Sequence, residues 1–238
     1  MGGRHYYLVT SLPRLGDLGT PPAITLGDLL ERVGEAPAAA AAVAAVVLGD
    51  DLMKRQAVLS GEADQVDAVI LTADQLHDRQ PLPESLVGPA REIEAGPVAV
   101  VDAVWGAYFR HAAAVAQRVG SRFLSAWVGY EVALRNALAA ARARALGLEV
   151  AAYLVATDLA AADEDLSAVV TEWAAAPNPL AGLRVLDAAR WDWLRRHDAH
   201  FSFGDDELSA YAAKLALLHR WQRLTAESNE PAIARTRP

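Results

Sequence analysis

The sequence predicts an all-α protein, a helical bundle, and three observations predict it. Of 238 residues, 51 are alanine, the residue of highest intrinsic helix propensity. The larger apolar residues recur at three- and four-residue spacing, the period of one helix face, rather than in strict alternation. The only β-prone run is His5-Tyr6-Tyr7-Leu8-Val9-Thr10, closed by Pro13. It reads as a single strand or an extended segment packed on helices, so at most one short N-terminal strand is expected.

The elements follow in order. Thr25 precedes Asp28 by three residues after Pro21-Pro22, the pattern of an N-cap with an acid in the first turn, and predicts a helix to about Val33, stopped by Gly34. Ala38 to Leu59 reads as a second helical stretch, interrupted near Gly49-Asp50, and Ala63 to His77 as a third. Pro81, Pro83, Gly88, Pro89, Gly96 and Pro97 then make residues 79–97 the best linker. Val98, Val101, Trp105, Tyr108, Ala112, Val115 and Val119 form one apolar stripe, and Gly120-Ser121 supplies a break and a new cap. Phe123, Trp127, Tyr130, Leu134, Leu138, Ala141 and Ala145 form the clearest stripe, ended by Gly147. A shorter helix is expected over Asp163–Ala176, before Pro177-Asn178-Pro179. Two more run from Leu183 to about His197 and from Asp206 to about Ala226, joined by the loop FSFG. The expected organisation is an N-terminal helical part over 1–78, a linker over 79–97, a helical bundle over 98–227 and a flexible tail over 228–238.

Composition narrows the function. Twenty-two basic against 30 acidic residues leave a charge of −8, which argues against nucleic acid as a partner. The absence of cysteine removes disulfides, thiol nucleophiles and cysteine-based metal sites. The longest uncharged apolar stretch, Ala38–Leu48, falls far short of the roughly 20 residues of a membrane span. The opening MGGRHYYLVTSLPRLG has no apolar core ahead of a cleavage site, so no signal peptide is read and a cytoplasmic location is expected.

Catalytic signatures are missing: no G-x-S-x-G elbow, phosphate loop or G-x-G-x-x-G turn occurs. His197 and His200 flank Asp198, but they do not form H-E-x-x-H and no third ligand is evident, so neither a metal nor a cofactor is expected. The acids at Asp163-Glu164-Asp165 and Asp205-Asp206-Glu207 stand where helices begin, where they favour the helix dipole. More informative are polar residues on apolar faces. Asn136 lies one position off the strongest stripe, Asp187 and Arg190 stand i,i+3 beside Trp191, and Lys214 sits inside an apolar run. Buried polar groups need partners, so these four are expected to form a structural polar network between packed helices. Charge is also uneven. Residues 1–100 carry 7 basic and 14 acidic side chains, whereas residues 101–160 carry 6 basic and 4 acidic. Arg110, Arg118, Arg122, Arg135, Arg142 and Arg144 supply that excess. Either they pair with the acidic half, or Arg135, Arg142 and Arg144 meet an acidic partner.

Three segments together resemble a known family. RHYYLVTSLPRLGDLGTPPAITLGDLLERV resembles its Y-Y-L-V-x-x-L-P-x-L opening. SRFLSAWVGYEVALRNALAAARARALGL resembles its central helix. LDAARWDWLRRHDAHFSFGDDELSAYAAKLALLHRWQRL resembles its C-terminal hairpin, with D-x-x-R-W-x-W-L, an F-x-F loop and Y-x-x-K-L…R-W. The family is an uncharacterised bacterial one encoded in V/A-type ATP synthase operons, similar to a shortened form of the C/d-type socket component of that ATPase. The resemblance implies an all-helical, non-catalytic coupling subunit of the rotary ATPase, linking rotor shaft to membrane ring. It would lie on the cytoplasmic side, peripheral to the membrane through the complex and without a span of its own. The alternatives are a helical accessory or assembly factor of the same ATPase, or an enzyme using His197 and His200.

Overall fold

A computed structural model describes residues 5–63, 66–87 and 97–229. Among these residues there are nine α-helices and no strand: α1 (Tyr6–Ser11), α2 (Leu26–Val33), α3 (Pro37–Leu59), α4 (Ala73–Leu76), α5 (Pro97–Val119), α6 (Arg122–Ala145), α7 (Ser167–Ala174), α8 (Pro179–Arg196) and α9 (Asp205–Asn229). Short 3-10 turns cover Glu84–Leu86, Val150–Tyr153 and Thr157–Leu159. Nearly half of the expected linker (88–96) and most of the tail (230–238) lie outside the described residues, as does the side chain of Val98.

The long helices pack as one layered group. α3 lies against both α9 and α5, α5 against α6, α6 against α9, and α8 against α9 and α7, while α2 covers α3 and α9. Elements from both sides of segment 79–97 therefore share a single cluster of buried side chains. Small residues let these helices approach: Ala39, Ala42 and Val43 on α3 and Ala210 and Ala212 on α9 have no exposed surface. The aromatic centre is Trp193, stacked on Tyr130 with ring centroids 5.0 Å apart and touching Trp127 at 5.4 Å and Phe123 at 6.1 Å. The first four turns of the α6 stripe are core, with Phe123, Trp127, Tyr130 and Leu134 buried and Leu138 partly buried against them, while Ala141 is half-buried and Ala145 is exposed.

Local chemistry explains the boundaries. Thr25 and Asp28 close a capping box on α2, each side chain accepting the other's backbone N–H. Ser121 accepts from Leu124 N–H at 3.0 Å and starts α6. Five expectations need correction. Residues 5–10 are not a strand: Tyr6–Ser11 is helical, and Thr10 and Ser11 hydroxyls donate to the carbonyls of Tyr6 and Leu8. A helix satisfies its own backbone groups, whereas a lone strand in a helical fold leaves its edge unpaired. Among the described residues of the third expected helix only Ala73–Leu76 is helical, because the Asp51 carboxylate accepts the backbone N–H groups of Val69, Ile70 and Leu71 at 2.6–3.1 Å and holds that segment open. The helix expected from Asp163 begins at Ser167, behind a turn in which Asp165 accepts from Ser167 N–H. α8 begins at Pro179 rather than Leu183, since Asn178 caps it and proline at the first helical position needs no donor.

The fifth correction concerns Gly49-Asp50, where α3 runs on without a break. Gly49 is a slot for Tyr108, whose hydroxyl donates to Ala45 O at 3.1 Å. A methyl group at residue 49 would stand 2.3 Å from that hydroxyl oxygen. Gly49→Ala gains about 1 kcal/mol of helix propensity but forces the buried ring aside, at about 1–3 kcal/mol. Urea unfolding is expected to show net destabilisation, partly recovered by Tyr108→Phe in the same background. A more stable Gly49→Ala protein would contradict the slot.

Candidate functional site

The strongest polar feature is a charge network inside the bundle. Arg190 on α8 grips Glu131 on α6 with two bonds, Nε to Oε1 at 2.7 Å and Nη2 to Oε2 at 3.0 Å, and Nη1 donates to Asp187 Oδ1 at 3.2 Å. The other Asp187 oxygen faces Arg220 Nε of α9 at 3.3 Å. One turn on, Arg223 reaches Asp50 of α3 at 3.4 Å. Lys54 bridges Asp50 and Asp51 at 2.8 and 3.3 Å. Asp187 and Asp51 are fully buried, and Asp50, Lys54, Glu131 and Arg190 nearly so. Burial works against the Arg190 charge, but Glu131 and Asp187 outweigh it and hold the guanidinium pKa above the usual arginine range. Burial pulls Arg220 below its ordinary value against the attraction of Asp187. Burial likewise pushes the Tyr108 and Tyr130 phenols up.

A cavity of about 40 Å3 lies beside this network, lined by Asp50, Glu131, Arg190 and Arg220 with Trp105 and Tyr108. That is room for a few waters rather than for an organic substrate. Within the network four carboxylates (Asp50, Asp51, Glu131, Asp187) meet four cations (Lys54, Arg190, Arg220, Arg223). Each charge is committed to another, which is what a structural network requires.

The four polar residues expected in one network fall in three places. Asp187 and Arg190 are together. Asn136 instead clamps the backbone of Val155, donating to its carbonyl at 2.8 Å and accepting its N–H at 2.9 Å. Lys214 pairs with Asp198 in the loop after α8. Glu131 and Arg220 went unsuspected in the sequence, although Glu131 stands inside an apolar run as Lys214 does. The arginines divide as well. Arg135 binds Asp102 at 2.9 Å and lies over the Trp105 ring at 4.9 Å, and Arg110 pairs with exposed Asp158. Neither partner belongs to the acidic N-terminal hundred residues. Arg142 is exposed and stacks over Trp173 at 4.9 Å, and Arg144 is exposed beside it. His197 stacks on Trp193 and contacts its carbonyl, while His200 points outward beside Asp198. Among the described residues no group of three or more His, Asp or Glu is placed to hold a metal ion.

The second feature is an exposed aromatic end. The loop between α8 and α9 carries Phe201 and Phe203, both left-handed with φ of +62° and +50°. For non-glycine residues this conformation costs roughly 1–2 kcal/mol each. Glu207 holds it, accepting from Phe203 N–H at 2.7 Å and from Phe201 N–H at 3.2 Å. His5 ties α1 to the same loop, its N–H donating to Phe203 O at 2.6 Å and its ring meeting Asp205 at 2.7 Å. Tyr6 therefore packs on Phe203 with centroids 4.9 Å apart. Yet Phe201 is 81% exposed, Tyr7 88% and Tyr6 57%.

Comparison with known proteins adds a family. A family model described as "Protein of unknown function (DUF2764)" matches residues 90–233. The chain belongs to that family. The matched span takes in α5 to α9, with Glu131, Asp187, Arg190 and the Phe201–Phe203 loop, and leaves out Tyr6 and Tyr7. No curated protein and no solved structure matches the chain.

The strained loop makes a prediction. Phe201→Gly removes roughly 1–2 kcal/mol of left-handed strain and loses about 1 kcal/mol to glycine's freedom in the unfolded chain. The exposed ring contributes little burial. Denaturant unfolding is expected to find the variant as stable as the parent or slightly more so. A loss above about 1 kcal/mol would show that the Phe201 ring holds the fold.

Proposed function

We propose that this protein is a non-catalytic helical subunit of a rotary V/A-type ATPase, coupling rotor shaft to membrane ring from the cytoplasmic side. The observation that carries this reading is the presence of two exposed surfaces of different chemistry at opposite ends of α6. At the α6 N-terminus, where Asp206 of α9 accepts from Ser121 Oγ and Phe123 N–H, stands the Tyr6–Tyr7–Phe201 surface. At the other end, Arg142 and Arg144 are exposed with Leu146 and Leu148. At 1.5 Å per helical residue the two are about 30 Å apart. Two of the segments on which the resemblance to the ATPase-operon family rests, the Tyr-Tyr opening and the F-x-F loop, meet at the first end. A charge-balanced interior with two outward-facing ends suits a connector. Among the described residues no helix is long and apolar enough to cross a membrane, so attachment would run through protein contacts.

A second reading, an accessory factor that assembles the ATPase and then leaves, draws on the same surfaces. Affinity purification of the tagged chain from native membranes separates the two. A stoichiometric band with the intact ATPase is the expected result. Recovery only with partial assemblies supports the accessory factor, and recovery without any other ATPase component overturns both.

A further inference from the structure

We infer that residues 5–25 form a strap that opens as one unit while the bundle stays folded, and that the face of α9 beneath it is a peptide groove which the strap fills as a built-in ligand. This inference rests on the N-terminal segment and α9 alone and not on the assignment to the ATPase.

Three observations carry it. First, the segment runs along α9. At the start of that helix His5 N–H donates to Phe203 O at 2.6 Å, and the His5 ring meets Asp205 at 2.7 Å. Further along, Tyr211 Oη donates to Pro13 O at 2.8 Å and Gln222 Nε2 donates to Gly19 O at 2.7 Å. The segment then turns back, and His219 Nε2 meets Ile24 O at 2.9 Å. From Asp205 to Gln222 the strap follows about 25 Å of helix.

Second, the strap is held without being embedded. None of residues 5–25 is fully buried, whereas α2 buries Leu26, Leu29 and Val33 as soon as it begins. The strap's Leu8, Val9, Leu12, Leu15, Leu18 and Ile24 are partly buried against the core. Few buried contacts and hydrogen bonds near the surface mark the parts of a fold that open first. Pro21-Pro22 and the Thr25–Asp28 capping box separate the strap from α2, so α2 keeps its own start when the strap leaves.

Third, α9 reads the strap's backbone. Apart from the His5–Asp205 contact, each of the bonds named above ends on a strap carbonyl or N–H. Main-chain bonds combined with apolar side chains seated beside them are how proteins bind extended peptides. From Asp205 to Thr225 no residue of α9 is exposed, and the strap supplies part of that cover. Its departure bares a face on which Tyr211, His219 and Gln222 have lost their acceptors, and a segment with the strap's own chemistry restores them.

Two measurements on the full chain test this. Val9, Leu12 and Thr20 N–H groups are hydrogen-bonded within the strap. Hydrogen exchange is expected to give these three amides one common protection, about a hundredfold or more below that of the α3 and α9 interiors. Tyr211→Phe, which removes the bond to Pro13, should speed all three together by roughly fivefold and leave α3 unchanged. Protection equal to that of the helix interiors, or an effect confined to one amide, overturns the single unit. The second measurement uses Leu12→Ser/Leu15→Ser, which loosens the tethered strap without altering α9. A labelled synthetic peptide of residues 5–25 should bind this variant one to one. It should bind the parent about tenfold or more weakly, because the tethered strap competes at an effective concentration in the millimolar range. The same peptide carrying both serines should bind neither. No binding to the variant, equal binding to parent and variant, or a variant that no longer melts cooperatively overturns the groove.

Discussion

The bidentate grip of Arg190 on Glu131 is the constraint on which the rest of the bundle depends. It ties α8 to α6, and the same guanidinium holds Asp187, which passes the connection to Arg220 on α9. From α9, Arg223 reaches Asp50 on α3, and Lys54 carries the chain of charges to Asp51 and the backbone of residues 69–71. Four long helices are thus joined by charges that, Arg223 apart, are withdrawn from water and tolerable only while their partners stay in place. A slide of one helix by a single turn, about 5.4 Å, would strand several of them at once. Alanine-rich faces, by contrast, pack acceptably in many registers because one methyl resembles the next. We attribute the unique register of this bundle to the charges and most of its burial energy to Trp193, Tyr130 and the leucines around them.

Interior and ends use the same residue types in opposite ways. Inside, arginine and carboxylate are matched and enclosed, and the adjoining space admits only a few waters. At the end formed by α1 and the α8–α9 loop, carboxylates turn inward to hold backbone and the rings face out. The second arrangement asks the fold to keep a strained loop, and Glu207 with His5 does so. Placing the loop at a helix junction braced by Asp206 and Ser121 gives exposed side chains a rigid base.

Much of this was legible in the sequence where a single local rule decides the outcome. Thr25 with Asp28, Ser121 after Gly120, and the stripe through Phe123, Trp127, Tyr130 and Leu134 each name their structure directly. The i,i+3 pair Asp187 and Arg190 was legible as a buried pair because apolar neighbours flank it on α8. What stayed hidden depends on residues distant in the chain. Asp51 reaches 18 to 20 positions onward to keep residues 69–71 from becoming helix. Gly49 looks like a break until Tyr108 arrives from α5. Glu131 finds Arg190 across 59 positions, and Tyr6 finds Phe203 across nearly the whole chain. The candidate surface is an extreme case, since neither the Tyr-Tyr opening nor the F-x-F loop announces alone that the other will complete it.

The claim that buried charge sets the register is tested most directly by chemical unfolding of Arg190→Met beside Glu131→Leu/Arg190→Met. The single change strands Glu131 and weakens the hold on Asp187. It is predicted to lower the unfolding free energy by about 3–5 kcal/mol, the penalty for breaking a buried pair. The double change removes the stranded carboxylate and should lose less than the single one. Equal and additive losses below about 1 kcal/mol, the scale of exposed pairs, would contradict the account.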